Sequence, residues 1–167
     1  FGLAAERARA LGRKVEMVVV DDDIALPDLP QPRGVAGTLF VHKIAGALAE
    51  DGADLATVAK AARDVVSKVA PIGMSLDTCT VPGAKKENRI GAGKAELGLG
   101  IHGEPGVEQV AFSTGTSAMN TVVEKLRGHA SGDTVAIVNN LGSTTPLEMS
   151  VLAHAFAGTG LARAIIG

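Results

Sequence analysis

Two hydrophobic rhythms alternate along the chain. Leu3, Ala4, Ala8 and Leu11 keep a helical period and Gly12 follows as a stop, which predicts a helix over the first eleven residues. Residues 15–20 are β-branched and mostly unbroken by polar residues, the pattern of a buried strand, and they run into Asp21-Asp22-Asp23. Pro27, Pro30, Pro32 and Gly34 then mark a loop over 27–34. The spacing of Leu39, Ala45 and Leu48 predicts a helix over 38–50, closed by Asp51-Gly52. Asp54 is a good N-cap for a second helix reaching to about Val69, with Leu55, Val58, Ala62, Val65 and Val69 on its stripe. The short connection makes these two an antiparallel pair. Further on, strands are expected over 75–81, 96–101, 134–138 and 161–166, and helices over 117–126 and from Pro146 to about Phe156. Residues 82–94, rich in Gly and Lys, read as an exposed loop. Alternating strands and helices predict α/β layers.

Composition narrows what such layers could do. The 167 residues suit one domain, or one domain with part of another, and the 46% apolar content is enough to form a core. A net charge of -2 lacks the clustered cations that a nucleic-acid binder needs. The aromatic fraction is 2%, with no Trp and no Tyr, which disfavours base-stacking platforms. A single cysteine, Cys79, excludes a disulfide within the chain and fits a reducing cytoplasm. No apolar run reaches the roughly 18–20 residues that span a bilayer. The chain begins at Phe1 inside a helical pattern and stops on an apolar run at Gly167, so it reads as an internal piece of a longer polypeptide.

Candidate chemistry is sparse. A phosphate-binding loop fails at Gly93-Lys94, because Ala95 stands where a hydroxyl should follow and Asn88 where the earlier glycine should be. The glycines of 98–103 do not stand between a strand and a helix, as a dinucleotide fingerprint requires. His42, His102, His129 and His154 show no metal-ligand spacing, so no metal site is expected. Asp21, Asp22 and Asp23 read as a solvated acidic turn, with a ligand role at the strand's end as the alternative. Cys79 reads as a buried structural thiol and His42 as a half-buried helix histidine. His102 stands apart. It directly follows an apolar run and has glycine at 100 and 103, so backbone and ligand can approach the ring closely. A neutral imidazole there could serve as nucleophile or base, against the alternative of a turn histidine bonded to its own loop.

The segment Gly100-Ile101-His102-Gly103-Glu104-Pro105-Gly106 resembles the signature of the dihydroxyacetone kinase substrate-binding subunit or domain, the DhaK/DAK1 family. The resemblance continues, in the family's order, through residues 18–23, 33–38, 42–47, 79–82 and 138–142, and so spans nearly the whole chain. It implies a layered α/β component of DAK1/DegV-like type, with two α/β domains in the intact protein. Residues 1–33 would end the first domain, and residues 34–167 would form the second, cut short at its end. It further implies that His102 attacks the ketone carbon of dihydroxyacetone and holds it as a hemiaminal while a terminal hydroxyl is phosphorylated. Gly100, Gly103 and Glu104 would form the substrate-binding loop. A covalent tether suits a small polar substrate that offers little binding surface, and it disfavours glycerol, which has no carbonyl.

The family's aspartate and second histidine precede the position of Phe1, so this chain is expected to carry the anchor without those acid/base partners and to be inactive alone. ATP or ADP with Mg would bind a partner kinase subunit or domain, either as free ATP or as a nucleotide recharged by a phosphocarrier. A homodimer in the cytoplasm is the implied assembly. The alternatives are a kinase for another small ketose such as erythrulose, a non-catalytic small-ketone-binding regulatory module, and a structural fragment whose His102 forms no adduct.

Overall fold

The computed structural model describes residues 1–28, 30, 33–80 and 82–166. Pro32 of the predicted loop, Val81 of the predicted strand and the terminal Gly167 lie outside the described residues. Backbone contacts divide the chain into two compact units, Phe1–Asp23 with Asp28–Pro71 and Ile24–Pro27 with Ile72–Gly167.

The first unit is helical: α1 (Gly2–Ala10), α2 (Thr38–Glu50) and α3 (Leu55–Val66). Asp54 caps α3 as expected, its carboxylate accepting the Thr57 N–H at 2.8 Å. The helix ends at Val66, three residues before the predicted end, where the Ser67 hydroxyl turns back onto the Asp64 carbonyl. α2 and α3 pack on each other, and Ala59 and Ala62 are the buried residues of α3.

Residues 15–20 are not a strand. A strand is defined by its hydrogen-bonded neighbour, and no described segment ladders with them. Side chains hold part of the stretch instead. Arg9 donates to the Val15 carbonyl at 2.9 Å, and Arg63 pairs with Glu16 at 2.7 Å. The solvated turn expected at the aspartate run holds only for Asp21, since Asp22 and Asp23 are buried. Asp22 accepts the Val35 and Gly37 N–H groups, each at 2.6 Å, at the entry to α2. Asp23 is gripped by Arg33 at 2.6 Å and 2.7 Å. Amides at a helix entry have no intrahelical acceptor, and a short carboxylate is one way to satisfy them.

The second unit mixes sheet and helix, in keeping with the expected α/β class. β1 (Met74–Ser75), β2 (Lys94–Leu97) and β3 (Glu108–Ala111) form an antiparallel sheet in that order. β4 (Val135–Ile137) and β5 (Ala164–Ile166) form a parallel pair whose connection contains α5 (Pro146–Ala157). α4 (Gly115–Leu126) precedes them and packs on α5. Both helices start on reciprocal capping pairs, Thr114 with Ser117 and Thr145 with Glu148, and Pro146 sits in the first turn of α5. The core joins Leu97 of β2, Ala118, Met119, Val122 and Val123 of α4 and Phe156 of α5.

Several strand boundaries differ from the pattern reading. The strand expected over 75–81 contributes only Met74–Ser75, and the strand expected over 96–101 runs instead from Lys94 to Leu97. Those over 134–138 and 161–166 are shorter than expected. β3 has no counterpart in the pattern reading, because only Val110 and Phe112 alternate toward the core.

Asp22 provides a test of the helix entry. Asp22→Ala removes two charge-assisted bonds at once, so the intact protein should lose about 2–4 kcal/mol of stability, since such bonds contribute roughly 1.5–3 kcal/mol each and are not additive. Amide exchange at Val35 and Gly37 should rise together. Unchanged protection at both amides would show that Asp22 does not hold this entry.

Candidate functional site

The loop bearing His102 begins where β2 must stop. Gly98 has a φ of +75°, and a Cβ there would lie 2.7 Å from the Ala25 side chain and 2.8 Å from that of Val107. A side chain at this position would meet both a crowded space and an unfavourable backbone region, so the alternation of Leu97, Leu99 and Ile101 cannot continue as a strand. Two backbone bonds pin the loop's ends, Gly98 N–H to the Gly73 carbonyl at 2.8 Å and Val107 N–H to the Leu97 carbonyl at 2.9 Å.

His102 lies between these pins, its ring 78% exposed. Glu104 folds back on it. One carboxylate oxygen accepts the His102 backbone N–H at 2.8 Å, and the other lies 3.1 Å from Nδ1. The Glu104 amide, then the His102 amide and ring, hold the Glu104 carboxyl below the usual glutamate range, against a smaller opposing effect of burial. An ionised carboxylate only accepts, so it favours the proton on Nδ1, and in the neutral form of the ring the lone pair is then on Nε2. That is the state of a nitrogen nucleophile.

Gly103 has a φ of +88°, and a Cβ there would lie 2.4 Å from Cys79 Sγ. Cys79 is thus a neighbour of the loop, and it is exposed, not the buried thiol the pattern suggested, because the strand expected around it does not form. Gly100 is buried at the loop's start.

Behind the loop lies an ion pair that the sequence analysis missed. Glu96 of β2 is buried, and Arg89 Nε reaches its two carboxylate oxygens at 3.0 Å and 3.1 Å. Burial alone would raise the Glu96 pKa, but the Arg89 bonds, the Gly106 amide and the Arg89 charge together hold it below the usual range. The same carboxylate accepts the Gly106 N–H at 3.3 Å, while Arg89 also pairs with Glu87 at 2.6 Å and reaches the Gly103 carbonyl at 3.5 Å. The signal was available. A glutamate between Ala95 and Leu97 in an apolar strand is a charge that needs a partner.

The remaining histidines, His42, His129 and His154, are exposed, which corrects the half-buried position expected for His42 on α2. Gly93-Lys94 opens strand β2 and not a helix, so it lacks the helix N-terminus on which a phosphate loop depends. Among the described residues, no three His, Cys, Asp or Glu side chains gather as a metal site would require. No described helix is long and apolar enough to cross a membrane.

This architecture has known relatives. Residues 1–164 match the Dak1 domain, and the chain belongs to that family. It is 43% identical over 164 residues to a dihydroxyacetone kinase of Citrobacter freundii, covering 96% of this chain and 30% of that protein. It is 39% identical over 162 residues to the dihydroxyacetone-binding subunit DhaK of a PTS-dependent dihydroxyacetone kinase of Listeria innocua, covering 92% of this chain and 49% of that subunit. The crystal structure of the C. freundii kinase with AMP-PNP and Mg2+ superposes with a TM-score of 0.91 at 42% identity, over all of this chain and 32% of that one. A dihydroxyacetone kinase operon co-activator superposes with a TM-score of 0.87 at 27% identity, over 99% of this chain and 56% of that one. The chain therefore spans between about a third and a half of the length of the two curated relatives named here.

The lowered Glu104 pKa sets a pH window. A carboxyl depressed in the folded state keeps its stabilising bonds above its ordinary pKa and loses them as pH falls through the lowered value. The carbon-13 signal of the Glu104 side-chain carboxyl should keep its ionised value from neutral pH down through the ordinary glutamate midpoint and change to the protonated value only below it. A transition at or above that midpoint would mean the carboxylate does not hold the loop.

Proposed function

We propose that the chain is the ketone-binding part of a dihydroxyacetone kinase, with His102 as its covalent anchor. The observation that carries this reading is the His102–Glu104 pair on a glycine-bounded loop: the carboxylate at Nδ1 favours the tautomer whose lone pair is on Nε2, on an exposed ring. Membership of the Dak1 family directs that nucleophile toward dihydroxyacetone. The Nε2 lone pair forms a bond to the carbonyl carbon while the carbonyl π electrons move onto oxygen. The new alkoxide takes a proton from water while Nδ1 gives its proton to Glu104, and Glu104 passes that proton to the hydroxide left behind, so the hemiaminal and the ring end neutral and the carboxylate and the water are regenerated. Gly100, Gly103 and Glu104 make up the rest of the substrate-binding loop in this reading. The tether fixes the substrate's orientation, and orientation of reacting groups accounts for several kcal/mol of many barriers.

Phosphoryl transfer would use a nucleotide with Mg on a partner kinase subunit or domain, in keeping with the AMP-PNP and Mg2+ of the C. freundii structure and with the strand that follows Gly93-Lys94 here. A homodimer in the cytoplasm, with residues 1–33 ending one α/β domain and 34–167 forming another, completes the reading. The likeness to an operon co-activator favours one alternative, a ketone-binding regulatory module that uses the same loop without phosphoryl transfer.

Dihydroxyacetone labelled with carbon-13 at the carbonyl tests the anchor in the intact protein. Its carbonyl signal should move to the tetrahedral range with wild type and stay in place with His102→Ala. Glu104→Gln should slow capture by roughly 100-fold, the lower end of what a positioned proton-transfer group contributes. An unmoved carbonyl with folded wild type would overturn the anchor. Adduct formation with no phosphorylated product, when the kinase partner and nucleotide are supplied, would select the regulatory module.

A further inference from the structure

The His102 loop has few bonds of its own. Between the pins at Gly98 and Val107, no backbone–backbone hydrogen bond joins residues 99–106 to the rest among the described residues. Within the stretch Glu104 bonds His102, and the side-chain hydrogen bonds that tie it to the rest, among the described residues, come from Arg89 and Glu96. Arg89 reaches the Gly103 carbonyl just after His102, and Glu96 takes the Gly106 amide just before the second pin. The Arg89 backbone is itself tied down, its carbonyl accepting the Gln109 side-chain amide at 2.8 Å. Glu96 cannot drift, because its side chain is 4% exposed on a strand paired on both edges. The guanidinium thus spans from a rigid strand to a loop that lacks a ladder, and its planar fork suits bonding several acceptors at once.

We propose that the Arg89–Glu96 pair is a positioning device for the reaction, fixing the His102 loop so that the imidazole meets a carbonyl carbon in a reactive orientation. This rests on the reading of His102 as the carbonyl-capturing nucleophile. The pair touches neither the ring nor the substrate's expected place beyond Nε2. It acts through the Gly103 and Gly106 backbone, and those residues flank the Glu104 carboxylate that selects the ring tautomer. A loosened loop would let Glu104 leave Nδ1, and the ring would then divide between its two neutral tautomers.

The test uses the intact protein with Arg89→Lys, Arg89→Ala and the neutral pair Arg89→Met with Glu96→Gln. Two readouts are followed well below the unfolding temperature: carbonyl carbon-13 titration with labelled dihydroxyacetone, and nitrogen-15 shifts of the His102 ring. Arg89→Lys keeps a cation for Glu96 but cannot also reach the Gly103 carbonyl. It should fold, weaken capture about 3- to 10-fold and shift the ring nitrogens toward a tautomer mixture. Arg89→Ala should weaken capture more than 10-fold, and if it fails to fold, the lysine variant and the neutral pair decide. A merely structural pair would change the unfolding temperature and leave both readouts of the folded protein where wild type has them, which would overturn the proposal. If wild type itself forms no adduct, the reading of His102 fails. The ring-nitrogen spectra then decide the positioning role: shifts that move in Arg89→Lys support it, and shifts that stay overturn it.

Discussion

A backbone that turns through positive φ at Gly98 decides where chemistry can occur in this chain. Up to Leu97 the polypeptide is a central strand, laddered on both sides and buried against α4. One residue later it leaves the sheet, and the next eight residues have no ladder to join. Such a segment normally pays a large ordering entropy for little return. Here the chain is bonded back to the sheet at Val107, so both ends of the loop are fixed on one sheet, and a few polar side chains order the middle. Leu97 links the two regimes. It is fully buried, and its carbonyl accepts the Val107 amide that closes the loop.

Charge has different jobs in the two units. In the first, Asp22 and Arg33 with Asp23 satisfy backbone and each other around the entry to α2. In the second, three carboxylates act on one short loop. Glu96 is buried and bound by arginine, Glu87 shares that arginine at the surface, and Glu104 faces the histidine. Only Glu104 bonds an imidazole. Exposure separates the roles too: the pair that orders the loop is the least exposed, and the ring that would react is the most.

Local signals were legible wherever the chain decides its own structure. Asp54 and Pro146 mark helix starts by chemistry that acts within one turn, and the helices they open start where the pattern places them. The same holds for His102, whose flanking glycines and place after an apolar run make it visible without any fold. Signals that depend on a distant partner were not legible. The stretch over 15–20 has the composition of a strand but no described neighbour, and Glu96 finds its cation seven residues away across a turn that no periodicity encodes. The aspartate run misled for a related reason. Three consecutive acids look solvated until the amides at the entry to α2 meet Asp22 and Arg33 meets Asp23.

Cys79 and Gly103 occupy one small space between them. Any β-carbon at 103 would overlap the thiol sulfur, and the left-handed backbone there would penalise it again even if residue 79 were trimmed. The two positions are therefore not independent letters of the sequence. Enlarging residue 79 is checked by the backbone at 103, and residue 103 is held to glycine by two separate costs. The constraint is one-sided: residue 79 is free to shrink, but residue 103 stays glycine whether or not the sulfur is there.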